Sequence, residues 1–275
     1  MRDLRVMQRT PRADLAPFVQ SLWLSSSRGA DEAPRHEHVL PTGQMHLVFR
    51  LSGPALKVFA DPKDTSGATF GHQVVGGARA RFYRRDISTP VSSVGVMLRP
   101  GAAEALFGVP AEELAGRHTP LTDLWGSGAG IAHERLTEAT SPEQRLAVLE
   151  EVLANRLRRP RALHPAVAAA LPQVMAAQGI RKIVADSGYS HRTFIQLFRR
   201  ATGLGPKEYA RVIRFQQLLR HLEASPETSW TSLSQLAGYS DQAHMIREFR
   251  DITGMTPQTY RHARGRESHH VPVDA

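Results

Sequence analysis

The sequence predicts an α+β protein. A β-rich, barrel-like N-terminal domain with appended helices precedes an all-α C-terminal domain of two helix-turn-helix units joined by a long helix. Three observations predict this fold class. Short apolar runs separated by turn residues fill residues 36–98, helical spacing of apolar residues follows from residue 100, and residues 180–260 contain one pattern twice. The chain is long enough to bury two cores.

Four segments follow from these patterns, because the composition changes where one pattern gives way to the next. The Arg-rich stretch between the two halves is typical of an exposed linker. The end of the chain has no apolar periodicity, which is typical of disorder. The predicted segments are an N-terminal domain at 1–158, a linker at 159–163, a helical domain at 164–262 and a disordered tail at 263–275.

The strands of the N-terminal domain are predicted from five apolar runs bounded by Gly, Pro and Asp. Such runs with regular turn signals are typical of a small antiparallel sheet or barrel. From residue 100 to 157 the apolar spacing becomes helical, and Ser141-Pro142-Glu143 is a typical helix start with proline in the first turn. The five runs are residues 46–51, 56–59, 71–75, 80–83 and 91–98.

The C-terminal half contains one sequence pattern twice. The offset between the copies is 50 residues up to a Gly-Tyr-Ser triplet and 51 from Phe194 and Met245 onward, so the second copy has one extra residue. Two copies are too few for a solenoid and indicate a duplicated supersecondary unit. The matched pairs are Gly188-Tyr189-Ser190 with Gly238-Tyr239-Ser240, Phe198-Arg199 with Phe249-Arg250, Thr202-Gly203 with Thr253-Gly254, and Pro206 and Tyr209 with Pro257 and Tyr260.

Each copy is predicted to form a helix, a tight turn and a second helix. Apolar residues of the first helix recur at i, i+3 and i+4 between Ile180 and Val184, and Gly188 suits the left-handed backbone of a tight turn. Ser190 is a good N-cap for the second helix. One face of that helix is predicted to be buried. Its buried residues are Phe194, Leu197, Phe198 and Ala201 in the first copy, and Met245, Phe249 and Ile252 in the second.

The outward faces of the two second helices suit the major groove of DNA, since Arg pairs with guanine, Gln with adenine and flanking cations with phosphates. A charged helix face is usually only solvated, and it is the duplication that favours two readers. We predict base contacts from Arg192, Thr193 and Gln196 in the first copy, and from Gln242, His244 and Arg247 in the second. The predicted phosphate contacts are Arg199, Arg200, Lys207, Arg250 and Arg261.

Residues 163–261 resemble the DNA-binding domain of the AraC/XylS family of bacterial transcription regulators. The family's closing pattern, Gly-x-x-Pro-x-x-Tyr-Arg, is present over residues 254–261. The resemblance implies two helix-turn-helix units on one connecting helix, here residues 206–223, that read two successive major-groove segments of double-stranded DNA. The chain departs from the family at Val184 and Ser234, where a small Ala is usual four residues before the turn glycine.

The N-terminal half is more loosely similar to the sensor-like domain that precedes this DNA-binding domain in many AraC-type regulators. It departs at Thr42 and Gln44, where Asp and Cys are common. The resemblance implies a β-rich domain through which a small-molecule effector or a partner controls the regulator. RNA polymerase and a second copy of the chain, forming a homodimer, are further candidate partners. The similar motifs are residues 15–19, 40–49, 95–101, 106–110 and 120–125.

The charge distribution agrees with a DNA-binding C-terminal half. The formal net charge is +9; residues 161–275 carry 15 Lys and Arg against 9 Asp and Glu, whereas residues 1–160 carry 20 against 17. The shorter half therefore holds most of the excess, as expected of a phosphate-binding domain. An Arg-rich composition alone gives the same sign. No apolar stretch is long enough for a signal peptide or a membrane span, so we expect a cytoplasmic protein with no membrane partner.

Catalytic and metal chemistry have little support in the sequence. The absence of cysteine excludes thiolate catalysis and thiolate metal sites. His36, His38 and His46 suggest a metal site, but the carboxylate expected a few residues later is missing, so we interpret them as surface or edge-strand histidines. We predict no catalytic residue, no metal and no cofactor. Two alternatives stay open: a non-specific architectural DNA-binding protein, and a small-molecule enzyme fused to a DNA-binding domain.

Overall fold

The fold is described from a computed structural model of the chain. The described residues are 4–27, 36–60, 63–157, 162–176, 178–265 and 268–273. Of the predicted linker at 159–163, residues 159–161 lie outside the described residues.

The described residues form two antiparallel sheets, which confirms the β-rich N-terminal domain. The larger sheet has the strand order β1-β2-β9-β4-β7-β10, and the smaller has the order β11-β3-β8-β5-β6. In chain order the strands are β1 (Leu4–Arg9), β2 (Val19–Ser27), β3 (His36–Val39), β4 (Met45–Arg50), β5 (Lys57–Phe59), β6 (Ala68–Thr69), β7 (Gln73–Gly76), β8 (Tyr83–Asp86), β9 (Ser92–Leu98), β10 (His118–Pro120) and β11 (His270–Val273).

One predicted strand begins later in the structure than the sequence predicts. The apolar run at 80–83 is mostly a connection between β7 and β8, and the strand begins only at Tyr83. The amide of Phe82, just before the strand, donates a hydrogen bond to the carbonyl of Ile252 in the helical half, at 2.8 Å. The run is apolar because it packs against helices, and a local pattern does not distinguish that environment from a sheet.

The helices appended to the sheets cover one face of the larger sheet. The longest of them starts at Ser141-Pro142-Glu143, as the sequence predicts, and Ser141 and Gln144 form a capping box there. That helix contacts β2 and β9. The helices of this half are α1 (Ala102–Phe107), α2 (Ala111–Leu114), α3 (Thr122–Trp125), α4 (Gly128–Glu138) and α5 (Pro142–Arg156).

The C-terminal half is helical and confirms the two helix-turn-helix units with a long helix between them. In the described part of the chain, every helix is too short or too polar to span a bilayer. The helices are α6 (Pro165–Met175), α7 (Ile180–Asp186), α8 (His191–Thr202), α9 (Pro206–Ala224), α10 (Trp230–Leu236), α11 (Gln242–Thr253) and α12 (Pro257–Ala263). The first unit is α7 with α8, the second is α10 with α11, and α9 connects them.

The repeated glycine and threonine residues have the same role in both units. Gly188 and Gly238, in the turns before α8 and α11, have φ of 72° and 75°, where side chains other than glycine are strained. Thr202 and Thr253 end α8 and α11. Each threonine hydroxyl donates to the carbonyl four residues earlier at 2.8 Å and accepts from the amide two residues later at 3.2 Å. These bonds fix the exit of the chain from each helix.

The repeated aromatic and proline residues also match. Pro206 and Pro257 lie in the first turns of α9 and α12, where a missing amide proton has no cost. The ring of Tyr209 meets Phe198 edge-on at 5.5 Å between centroids, and Tyr260 meets Phe249 in the same way at 5.4 Å. These positions therefore occur twice because each unit forms the same joint between its second helix and the helix that follows.

The extra residue of the second copy lies in its turn. Ser190 caps α8 and accepts a hydrogen bond from the Thr193 amide at 3.2 Å, as predicted. In the second copy the cap is Asp241, which accepts from the His244 amide at 2.7 Å. Ser240, the residue that matches Ser190, is displaced by one position from the cap. Both residue types satisfy an amide at the start of a helix.

Two hydrophobic cores join the halves of the chain. One contains sheet residues such as Leu47 and Val96 together with Phe194 of α8. The other contains Leu40 and residues of α9 to α12. The predicted buried residues Phe194, Phe198, Met245, Phe249 and Ile252 are fully buried, and Leu197 and Ala201 are partly buried. The predicted boundary between the halves therefore does not separate the two cores.

The prediction of a disordered tail over 263–275 was wrong for residues 270–273, which form β11 and pair with β3. Val271 is fully buried in the second core. The Tyr260 hydroxyl donates to the carbonyl of Ser268 at 2.9 Å, and the Leu40 amide donates to the carbonyl of His269 at 2.9 Å. The sequence pattern missed this strand because its partners lie about 230 residues away, outside any local window.

We expect Val271→Ser to lower the free energy of unfolding by about 2 kcal/mol, because it moves a polar group into a buried apolar position. Val273→Ser, in the same strand but only partly buried, is the matched control and should cost less than about half as much. Urea unfolding followed by circular dichroism measures both. Equal effects of the two substitutions would contradict the docked strand.

Candidate nucleic-acid interface

The first candidate reading helix is α8. Phe194 and Phe198 bury one face, and Arg192, Thr193 and Gln196 are exposed on the other, within about one turn of the N-terminus. The Thr193 hydroxyl lies 2.8 Å from that of Ser190. Within the described ranges, no hydrogen bond engages the side chain of Arg192 or Gln196. Their donors and acceptors are therefore available to a ligand.

The second candidate reading helix, α11, is more constrained. Gln242 and Arg247 are exposed, and the Gln242 side-chain oxygen accepts a hydrogen bond from the Thr231 hydroxyl at 2.7 Å. His244 is half-buried, with Nδ1 3.0 Å from the Ser240 hydroxyl and Nε2 3.8 Å from a carboxylate oxygen of Glu248. His244 therefore has neighbours at both ring nitrogens, whereas Arg247 is free to extend from the surface.

The connecting helix α9 holds both reading helices. It has 19 residues and is therefore about 28 Å long at 1.5 Å per residue. Tyr209 at its start packs on Phe198 of α8, and Phe215 near its middle packs edge-on against Phe249 of α11 at 5.5 Å. Within the helical half, the separation of the two reading helices is thus set by this one helix, which is comparable in length with the roughly 34 Å helical turn of DNA.

Three of the predicted phosphate contacts are exposed cations. Arg199, Lys207 and Arg250 all reach solvent. The Arg199 guanidinium lies 3.9 Å from the Glu208 carboxylate, and both side chains are about half exposed. An exposed ion pair of this length contributes little stability, so it leaves the arginine available to another anion.

The other two predicted phosphate contacts have partners inside the protein. Arg200 forms an ion pair with Glu104 of α1. Arg261 donates to the carbonyl of Thr228 at 2.7 Å, and its guanidinium lies 4.3 Å from the ring centre of Trp230. Both arginines therefore hold elements of the protein together in this conformation.

Matching carbonyls at the ends of the two reading helices accept hydrogen bonds from the N-terminal half. The Gly101 amide donates to Ala201 at the end of α8, and the Phe82 amide donates to Ile252 at the end of α11, both at 2.8 Å. Ala201 and Ile252 occupy equivalent places in the two copies. The last carbonyls of a helix have no partner within the helix, so these bonds satisfy them. We call this pair of bonds the interdomain brace.

Side chains reinforce the brace at α11. The Phe82 ring packs against Gly254, where any side chain would overlap it. His38 stacks on Phe82 with 4.1 Å between ring centres, and its Nδ1 donates to the Thr253 carbonyl at 3.0 Å. Burial lowers the pKa of His38. The sequence does not predict these contacts, because nothing local marks Phe82 as a partner of residues 170 positions later.

Two substitutions, Gly254→Ala and Gly188→Ala, distinguish the cost of overlap with the Phe82 ring from the cost of backbone strain. Both glycines have φ above 70°, but only at Gly254 would an added Cβ meet the Phe82 ring. We expect both substitutions to cost about 1–2 kcal/mol of stability through the left-handed backbone, and Gly254→Ala to cost about 1–3 kcal/mol more through overlap. In a Phe82→Ala background this extra cost should fall. Urea unfolding measures it, and equal costs in the native background would argue against close packing of Phe82 on Gly254.

Two family models match the chain. Residues 183–263 match a helix-turn-helix domain, and residues 7–120 match a domain of unknown function, DUF6597. No curated protein matches the sequence significantly. The first match covers the last turn of α7 and all of α8 to α12, and the second ends at β10.

Several solved structures are similar to the chain. The DNA-binding domain of AdpA, a global transcriptional factor solved in complex with a target DNA, is 30% identical over 36% of this chain and 87% of that chain, with a TM-score of 0.32. Unsaturated fatty acid-bound ToxT from Vibrio cholerae is 8% identical over 94% of each chain, with a TM-score of 0.45. The AraC-like transcriptional activator CuxR is 18% identical over 84% of this chain and 90% of that chain, with a TM-score of 0.25.

The assignment rests on three findings about the chain itself: the helix-turn-helix family match, the tandem pair of units on α9, and the repeated joint that closes each unit. The joint accounts for the repeated glycine, threonine, proline and tyrosine positions in both copies. The chain is a DNA-binding transcriptional regulator of the AraC/XylS family, with its tandem helix-turn-helix unit behind a β-rich N-terminal domain.

Proposed function

We propose that each copy of the chain reads two successive major-groove segments of double-stranded DNA, one with α8 and one with α11. The observation that carries this proposal is the equivalence of the two units, which present matching helices on one rigid connector. Because the units follow one another along the chain, the DNA site for one copy is asymmetric and needs no palindrome.

The base contacts follow from the exposed faces of the reading helices. Arg192, Thr193 and Gln196 would read the first segment, and Arg247 with Gln242 the second. Arginine can bond both acceptors on the major-groove edge of guanine, and glutamine suits adenine. For His244 the proposed base contact requires its ring to exchange a neighbour in α11 for a base.

The phosphate contacts would flank these bases. Arg199, Lys207 and Arg250 are exposed and would supply the sequence-independent part of the affinity. Arg200 and Arg261 would reach phosphate only by leaving Glu104 and the Thr228 carbonyl. We therefore expect these two to contribute less.

We further propose that a small-molecule effector or a partner controls this binding through the N-terminal half. The interdomain brace supports the proposal, because movement of that half would shift amides bound to the ends of both reading helices. RNA polymerase and a second copy of the chain are proposed as further partners. We propose no catalytic activity for the chain, and place it in the cytoplasm with the DNA it binds.

The alternative of a non-specific architectural protein predicts a different result in one experiment. The purified chain is mixed with a pool of random duplexes at two salt concentrations, and the retained duplexes are sequenced. We expect one asymmetric motif with two half-elements spaced by about one helical turn of DNA. Retention without any motif and with a steep salt dependence would mean phosphate attraction alone and would reject specific reading.

Two substitutions in the first unit separate base reading from phosphate attraction. Arg192→Ala should lower discrimination at one base pair by about 1–3 kcal/mol, and Lys207→Ala should weaken binding to all sequences and reduce the salt slope by about one. Titrations of the selected duplex and its single-base variants measure both. Uniform weakening by Arg192→Ala would show that this arginine does not read a base.

A further inference from the structure

The two reading helices carry opposite charges at one equivalent position. Arg200 of α8 matches Asp251 of α11 at the offset of 51 residues that relates the second helices of the two copies. Each lies four residues after a candidate base reader, Gln196 in α8 and Arg247 in α11. Residues four apart are neighbours on one helix face. Both charges therefore lie beside the surface that is proposed to face DNA.

The N-terminal half supplies the opposite charge at each of these positions. Glu104 of α1 forms an ion pair with Arg200, and Arg81, in the connection between β7 and β8, forms one with Asp251. Each ion pair adjoins one bond of the interdomain brace. We call the pair at α8 the acidic latch and the pair at α11 the basic latch, after the charge that the N-terminal half contributes. The same junction thus occurs twice with its charges exchanged.

Both latches are accessible from solvent. The arginine side chains are 51% exposed at Arg200 and 67% exposed at Arg81, and their carboxylate partners are 27% and 36% exposed. Exposed ion pairs contribute little to stability, so little is lost when one of them opens. A DNA phosphate carries a negative charge and accepts hydrogen bonds from arginine. It can therefore compete with the carboxylate for either guanidinium.

The two latches differ in what an arginine leaves behind when it turns to a phosphate. Asp251 also forms an ion pair with Arg211 of α9, so it keeps a cationic partner without Arg81. For Glu104, Arg200 is the one ion-pair partner in the described part of the chain. Departure of Arg200 would leave this carboxylate unpaired next to DNA, where like charges repel. The basic latch is therefore the one that opens easily toward a phosphate.

We propose that the N-terminal half takes part in DNA binding through the two latches, with opposite effects. Arg81 binds a backbone phosphate beside the DNA segment that α11 reads. Glu104 competes with phosphate for Arg200, and it thereby weakens binding beside the segment that α8 reads. Both effects depend on charge and not on base sequence. The inference rests on the proposed function, because it takes α8 and α11 as the helices that lie on DNA.

The salt dependence of DNA affinity measures the contact from Arg81. Each phosphate contact adds about 0.9 to the slope of log affinity against log salt concentration. In titrations of the selected duplex, we expect Arg81→Gln to weaken binding about three- to tenfold at low salt and to lower the slope by about one. The difference from the native chain should shrink about 3.5-fold when the salt concentration rises about fourfold. Arg81→Lys keeps the charge and should keep most of the slope.

Neutralising the acidic latch should have the reverse effect. Glu104→Gln frees Arg200 for a phosphate, so we expect binding to become about three- to tenfold tighter at low salt and the slope to rise by about one. A double-mutant cycle distinguishes release of Arg200 from simple loss of a negative charge. Arg200→Gln should cost at least about threefold more affinity in the Glu104→Gln background than in the native chain.

Two other exposed ion pairs of the N-terminal half supply matched controls. Arg12 pairs with Asp14, and Glu151 pairs with Arg135, each at 2.7 Å and each within this half. Arg12→Gln and Glu151→Gln remove the same charges as the latch substitutions. They should change the affinity less than about twofold and leave the slope unchanged, because salt screens charges that make no contact with DNA. Urea unfolding establishes that each variant is folded before its affinity is compared.

Site-directed DNA cleavage supplies a readout that does not depend on affinity. The chain has no cysteine, so an iron chelate that generates hydroxyl radicals can be attached to the single thiol of Arg81→Cys. We expect it to cut the selected duplex beside the half-element whose discrimination falls in Arg247→Ala. The same chelate on Arg12→Cys is the control and should cut no more than free chelate does. Absence of cutting from Arg81→Cys would place this residue away from DNA and reject the phosphate contact.

Three results of the titrations would overturn the inference: an unchanged slope for folded Arg81→Gln, a loss of affinity no larger than that of Arg12→Gln, or binding by Glu104→Gln that is no tighter than native. Any of these, found together with a selected motif, would reject the latches and leave specific reading in place. If selection recovers no motif while Arg81→Gln still lowers the slope on an arbitrary duplex, specific reading fails and the phosphate contact stands.

Discussion

The structure depends on how the carboxyl ends of two equivalent helices are satisfied. Ala201 and Ile252 accept hydrogen bonds from the amides of Gly101 and Phe82, which belong to the β-rich half. Carbonyls at a helix end have no partner of their own. The N-terminal half supplies the missing hydrogen-bond donors, and it thereby fixes the position of both reading helices. The two hydrophobic cores extend across the same junction, so the regulator is built as one packed body.

Two parts of the structure therefore determine the distance between the two reading helices. The connecting helix α9 sets it from within the helical half, since Tyr209 and Phe215 hold the two units at different levels of one rod. The interdomain brace determines the same distance from the N-terminal half. A tandem reader gains specificity only if both helices fit the grooves together, so small movements of the β-rich half have a direct physical route to DNA affinity.

The interior of the β-rich half is chemically different from the face that packs on the helices. One side of the larger sheet buries Leu47, Val75 and Val96 in the core, whereas the other side presents His46 and His118. Strand alternation produces this contrast. The connection between β7 and β8 also contacts α11, because Arg81 forms an ion pair with Asp251.

The sequence by itself determined the reading units. The features that define these units are local and have a fixed spacing: the turn glycines, the Ser190 cap and the buried faces of α8 and α11. Because the pattern occurs twice, it could be recognised without knowledge of any tertiary contact. Only the tertiary structure decided the docking of β11 on β3, the role of Phe82 and the meeting of His46, Arg79 and His118. Each of these depends on residues between about 30 and 230 positions apart. Their contacts follow from sheet register and packing, which no local pattern encodes.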